Sequence, residues 1–455
     1  MASTRIYRTA GTPTLNTKHT ISMWFKRTKL TYGDCFLMDG WQDANNRFKL
    51  AFDASDRLEC YNTHGGSYKF NVVTNRRFRD TAAFYHLVIR IDTTQASASD
   101  RVRVYVNGTE EESFSTYTDA TQDDANNVVN ESGATISIGD YQGGGNAFEG
   151  LMTHVHFIDG TSYAPTTFGE TDSTSGIWVP KTAPSVTYGN NGFFLKFENS
   201  GNLDLDSSGN NLTFTTSGTL TQNVDTPSNV FATLNGINAG GGTTALSNGN
   251  LSYTRTDYNH NARSTLGFTK GKWYWEQKQS DNSTRIGLIT SGFTNNLDTD
   301  STDAYYGTYA NGGVYLTNST NGTSWQITNN DTSRSVTTYS SAIGASAGDI
   351  LMGAVDADAG KLWFGVNGTW MNSGNPAGGT NNQITFTNGS PDELQVYAGF
   401  GTSSSRTVNF NFGSGFFGTT AVASANADAN GFGAFEYAVP SGFYSICTKN
   451  IKEFG

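Results

Sequence analysis

Glu110, Glu111 and Glu112 form the one run of three carboxylates in this 455-residue chain, and paired carboxylates are what glycoside hydrolysis requires. Retaining chemistry needs two of them on one face, about 5–5.5 Å apart. Neighbours on a strand point to opposite faces, so only Glu110 and Glu112 can share one. A Glu-x-Asp-x-(x)-Glu pattern occurs nowhere, so the run reads as a solvated turn and the chain as a non-enzyme. His154 and His156 have the two-residue spacing of a metal pair, but only Asp159 stands near as a third ligand, and a strand histidine pair is expected. Asp204, Asp206 and Ser208, followed by Gly209, fit the first positions of a calcium loop. Thr215 stands where an EF-hand needs Glu, so any calcium would sit in a lectin-type loop. Asp298, Asp300 and Asp303 form a second acidic loop of that kind, and calcium is the only candidate cofactor.

The aromatic residues point to binding. Sugars offer apolar C–H faces and hydroxyls, which aromatic plates and amide side chains recognise together. Trp41, Trp325 and Trp370 lie beside loops with amide neighbours, and Tyr305, Tyr306 and Tyr309 make a further aromatic loop. These six are the candidate ligand contacts. Trp24, Trp273, Trp275 and Trp363 fall within strand patterns and are assigned to cores. Glycine-rich runs at 142–148 and 238–244 do not join a strand to a helix, so they are loops and not phosphate cradles.

Alternating strands must position these groups. Residues 19–27, 47–54, 83–92, 101–108, 134–141 and 149–160 alternate apolar with polar side chains between turn signals. Val102, Val104 and Val106 share one face, and Asn107-Gly108 supplies a tight hairpin. Strand signals resume at 271–278, 284–290, 349–368, 394–401 and 407–413. No long helical pattern appears. Between about 200 and 250 the texture turns Gly/Asn/Ser/Thr-rich, and a boundary is placed near 222. The second half is poorer in charge, with 11 basic and 16 acidic residues against 18 and 24.

A net charge of −11 without a basic run excludes a nucleic-acid partner, and no apolar stretch of about 20 residues argues for membrane insertion. Three widely spaced cysteines read as reduced thiols. The N-terminus carries no apolar signal core, which with those thiols predicts assembly in a cytoplasm and release by lysis.

Across about 250–455, the segments Gly271-Lys-Trp-Tyr-Trp-Glu276, Gly348-Asp349, Asp356-x-Asp358, Phe364-Gly-Val-Asn-Gly368 and Asn411-Phe-Gly413 occur in the order that resembles a SPRY domain. That resemblance implies a bent β-sandwich that binds through its loops and does no chemistry, with Asp356 and Asp358 structural. Residues 21–27, 84–108, 148–160, 167–181, 188–201 and 206–211 resemble the laminin-G and concanavalin-A-like lectin/glucanase superfamily. The combination is similar to structural proteins of tailed phages.

The expectation is therefore an all-β chain with two antiparallel concanavalin-like jelly-roll sandwiches in tandem, 1–222 and 223–455. The resemblance implies a non-enzymatic virion-surface protein, a tail-fibre or spike-type adhesin for host-surface glycans or receptors. Other virion proteins and further copies of the chain are its expected partners. A capsid decoration or head-fibre protein is the alternative, and a polysaccharide depolymerase, which needs the missing carboxylate pair, a third.

Overall fold

The computed structural model describes residues 4–236, 244–255, 262–280, 284–290, 314–318, 325–329, 335–339, 346–385, 393–400 and 405–455. The chain divides into two compact units, Met1–Gln222 with Thr226–Ser228, and Asn223–Asp225 with Asn229–Gly455. Both are antiparallel β-sandwiches, so the protein is all-β.

The first unit has sixteen strands in chain order: β1 Arg5–Thr9, β2 Lys18–Arg27, β3 Cys35–Asp43, β4 Asn46–Phe52, β5 Arg57–His64, β6 Ser67–Arg77, β7 Tyr85–Asp92, β8 Val102–Val106, β9 Thr109–Glu110, β10 Phe114–Thr118, β11 Thr135–Ile138, β12 Gly150–Asp159, β13 Gly169–Thr171, β14 Trp178–Pro180, β15 Phe193–Leu195 and β16 Thr215–Ser217. Eight of them pair as β10-β6-β5-β4-β3-β11-β1-β16, and six as β15-β12-β2-β7-β8-β9. Strand alternation decides what lies between the sheets. Phe48, Leu50 and Phe52 of β4 meet Ile21, Met23 and Phe25 of β2 and the three valines of β8 in one core. The turn after β8 has Asn107 and Gly108 both at positive φ, as the Asn-Gly pair requires.

That alternation leaves an outer face on each sheet. The face of the six-stranded sheet is covered by residues 161–190, which include the small hairpin of β13 and β14. Phe168 from this covering segment packs on Val88, Tyr105 and Ile158, with Tyr163, Val186 and Tyr188 around it. Over the outer face of the eight-stranded sheet lies the shorter loop of Tyr141 and Gln142, and Phe36 and Asp39 beneath it are buried.

Among the described residues, the second unit pairs seven strands along the main path of a nine-stranded sheet and six in a second sheet. Trp273, Trp275, Leu351, Phe364 and Phe410 of the first meet Ile286, Leu288 and Val396 of the second. On the far side of the strand Lys272–Gln279, Tyr274 packs with Trp363, Phe435 and Phe443. Trp24, Trp273, Trp275 and Trp363 are all buried, as strand residues of this kind should be. Asp356 pairs with Lys272 and accepts from the Ala359 amide, and Asp358 accepts from Gly271, so both brace the turns beside them.

Candidate functional site: the outer face of the eight-stranded sheet

Two rows of side chains cross this sheet face from strand to strand, the first with Ser137, Asp39 and Lys49 buried and the second more open. Register places Tyr7, Ser137, Asp39, Lys49, Tyr61 and Asn71 opposite one another in one row. The neighbouring row runs Thr9, Thr135, Trp41, Arg47, Thr63, Tyr68. Adjacent strands lie about 4.8 Å apart, so Trp41 and Tyr68, three strands apart, stand roughly 14 Å from each other. The face mixes aromatic rings with hydrogen-bonding groups along its whole width.

Arg47 organises the centre. Its guanidinium lies over Phe36 at 4.7 Å, Tyr141 at 5.3 Å and Trp41 at 5.4 Å, so three rings share one cation. Its Nε donates to Asp39 Oδ1 at 2.9 Å. The other Asp39 oxygen accepts from the Gln142 amide at 3.0 Å, which draws the loop carrying Tyr141 over the sheet. Arg5 fixes that loop from the other side by donating to the Tyr141 carbonyl at 2.9 Å. Burial raises the Asp39 carboxyl above its usual value, and the Arg47 charge opposes this. On β4, Lys49 bonds Glu59 at 2.6 Å and Asp34 at 2.9 Å. Burial pulls this ammonium down, but the two carboxylates outweigh it and its pKa is raised. Tyr61 meets Tyr68 edge to face at 5.3 Å, and Tyr68 is 55% exposed.

Each carboxylate at the centre of this face is committed to a cation on a neighbouring strand or loop. Asp39 and Lys49 are themselves buried, so what the arrangement offers a ligand is the rings of Trp41, Tyr61 and Tyr68 beside the half-buried Arg47 and Asn71. The Glu110–Glu112 run lies elsewhere; Glu110 and Glu111 are committed and Glu112 is exposed. Glu110 pairs with Arg103 at 3.1 Å, and Glu111 is buried against Arg76, where a solvated turn was expected.

Of the six aromatic candidates, Trp41 lies within β3 rather than beside it, and is half-buried on this face. Trp370 closes the two-residue strand Thr369–Trp370 and packs edge to face on Tyr274 at 6.4 Å. Trp325 opens the strand Trp325–Asn329, opposite Asn318 and Tyr339. Tyr305, Tyr306 and Tyr309 lie outside the described residues, as do Asp298, Asp300 and Asp303. Sequence reasoning missed Arg47, Tyr61, Tyr68 and Tyr141. The signal for Arg47 was present in Arg-Phe-Lys-Leu-Ala-Phe, whose alternation turns Arg47 and Lys49 away from the core.

The calcium candidates are occupied by their own loop. Asp206 accepts from the amides of Phe194, Ser208 and Leu212 and from the Ser208 hydroxyl, all at 2.9–3.0 Å. Asp204 accepts from Thr216 Oγ1 at 2.8 Å. His154 interrupts β12 at a bulge with positive φ, and its ring, like that of His156, leans on Phe194. Asp159 is bonded to Thr14, Leu15, Asn130 and Asn191, away from any metal role. Among the described residues, no three His, Cys, Asp or Glu side chains converge as a metal site.

Residues 3–166 match the family described as the concanavalin A-like lectin/glucanases superfamily. No curated protein matches the sequence. Among solved structures, the SPRY domain of human HERC1 is 16% identical and aligns 39% of this chain with 96% of its own, at a TM-score of 0.28. Mouse laminin alpha1 domains LG4-5 are 8% identical over 90% of this chain and 86% of theirs, at a TM-score of 0.29. A pentraxin from Limulus polyphemus is 14% identical over 34% of this chain and 70% of its own, at 0.26.

Proposed function

We propose that the chain is a non-catalytic adhesin of a bacteriophage virion, of tail-fibre or spike type, whose first unit binds host-surface glycans. The observation that carries the binding role is the double row on the eight-stranded sheet, where Trp41, Tyr61 and Tyr68 stand among Arg47, Thr63 and Asn71, with Asp39 and Lys49 buried between them. Rings receive the apolar faces of sugars, and the fixed polar groups sort their hydroxyls. The lectin-superfamily match over residues 3–166 supports the same reading. Commitment of Asp39 and Glu59 to Arg47 and Lys49 supports binding without hydrolysis. The virion placement rests on the resemblance to phage structural proteins, and three buried free thiols fit folding in a reducing compartment. In this reading Trp370, Trp325, Tyr305, Tyr306 and Tyr309 give the second unit its own contacts with receptor or virion partners.

Purified full-length protein on a glycan array, followed by titration of the best ligand, tests the reading. Trp41→Ala and Tyr68→Ala are expected to weaken binding at least tenfold, about 1.4 kcal/mol, with circular dichroism unchanged. Unchanged affinity in both variants moves the site off this face. Release of reducing sugar from host polysaccharide overturns the non-enzyme assignment. Gold-labelled antibody should mark the tail of the particle, and labelling spread over the capsid would favour a decoration protein.

A further inference from the structure

The segment that covers the six-stranded sheet is held down by neutral histidines. Trp178 on β14 donates its indole N–H to His86 Nδ1 at 2.9 Å. An indole nitrogen only donates, so Nδ1 must be the unprotonated, accepting nitrogen of a neutral ring. The opposite nitrogen, Nε2, then carries the hydrogen and donates to Ser22 Oγ at 2.9 Å. His86 is sandwiched as well as bonded, stacked on Trp24 at 4.6 Å and on Trp178 at 6.0 Å. Further along the same face, His156 Nδ1 bonds the Tyr188 hydroxyl at 3.0 Å, and its ring stacks on Phe194 at 3.8 Å. Trp178 and Tyr188 both belong to the covering segment. His86 and His156 belong to the sheet.

The ends of the segment are fastened differently. Thr20 Oγ1 donates to the Thr161 carbonyl and accepts from the Tyr163 amide, and Asn191 is tied to Asp159 and Gly11. Between them, the flanks of the segment are also held by Phe168, packed on Val88, Tyr105 and Ile158, and by the Tyr188 carbonyl, which accepts from the Asp159 amide, whereas the hairpin of β13 and β14 meets the sheet through Trp178 on His86. The geometry points to a pH-released strap: protonation of His86 detaches the β13–β14 hairpin, residues 169–180, from the sheet while Phe168 and Tyr188 on either side stay anchored, exposing Trp24. A second proton on His86 turns its only acceptor toward Trp178 into a donor, so two N–H groups would face each other.

The cationic groups near this pair oppose its protonation while the strap is closed. Those acting on His156 are His154, His86 and Lys196, and His154 acts on His86. Lys196 and Glu198 act on His154. Lys26 lies on the same face of β2, two residues beyond Trp24. Arg90 is bonded to Ser162, Arg103 is paired with Asp100 and Glu110, and on the strap itself Lys181 pairs with Glu170. Burial holds His86 down at about 3 and His154 at about 4, so the neutral, bonded form is the one present at pH 7.

Amide hydrogen exchange on the full chain between pH 7 and pH 4, corrected for intrinsic rates, tests the strap. Protection over 169–180 should fall at least tenfold while 18–27 and 85–92 stay protected. Trp178→Phe keeps a stacking ring but removes the donor, and should move the release to higher pH. His86→Gln keeps an acceptor that does not titrate, and should flatten the response near Trp178. Protection lost from strap and sheet together, or a strap unchanged to pH 3.5, overturns the proposal. So does a Trp178→Phe profile identical to that of the parent.

Discussion

At the scale of single residues, chemistry is decided by what a group already bonds. Asp204, Asp206 and Ser208 have the types and spacing of calcium ligands, but Asp206 spends its carboxylate on three amides and a hydroxyl. Such a side chain fixes local backbone in place of a turn hydrogen bond. Asp206→Ala should therefore destabilise the first unit by about 2–4 kcal/mol in urea unfolding. The loss should be the same in calcium and in chelator. A calcium-dependent rise in the parent midpoint that the variant lacks would instead make this carboxylate a cation ligand. Sequence spacing exposes residue types, and the competition for their lone pairs is invisible in it. The same limit hid Trp178 and His86, which lie 92 positions apart yet form the bond that holds the strap.

At the scale of elements, much was legible, because alternation is a local property. The strands around Trp24, Leu50, Val104 and Trp275 follow the pattern of their side chains, and their apolar faces form the two cores. Strand order was not legible. β3 pairs with β11, nearly a hundred residues away, and that pairing sets Trp41 beside Thr135 on the candidate face. A buried ion pair at the end of β2 belongs to the same class of non-local feature. Arg27 meets Asp56 at 3.1 Å with both side chains fully buried, and Asp56 also accepts from Arg79 and the Thr31 amide. Removing one member strands a buried charge. Asp56→Ala should cost about 3–5 kcal/mol by chemical denaturation, and a loss below about 1 kcal/mol would show that Arg27 finds other company.

At the scale of the whole molecule, the buried titratable groups give the two units opposite responses to pH. In the first, His19, His86 and His154 are held by burial at about 4, 3 and 4, and His156 well below its ordinary value. His19 is the starkest, since neither ring nitrogen has a hydrogen-bond partner. The unfolded chain binds these protons near pH 6.5 and the folded unit does not, so stability is full above 6.5 and falls as the pH drops toward 3. In the second unit, Glu276 lies fully buried beneath residues 436–437. Burial pushes its carboxyl up to about 7, against hydrogen bonds from Tyr274, Asn411 and the amides of Glu436 and Tyr437. Here the folded state holds the proton longer than the unfolded chain, whose value is near 4.5. The contribution is complete below 4.5 and is lost as the pH rises through 7. Each shift of one unit is worth about 1.4 kcal/mol, so both effects reach a few kcal/mol. Scanning calorimetry of the full chain should resolve two transitions, one moving down in temperature as the pH falls from 7 to 4. The other should hold or move up over the same range. Glu276→Gln should remove the pH dependence of the second transition and leave the first unchanged. Two transitions that track each other across this range would show that the histidines and Glu276 do not govern the stability of their units.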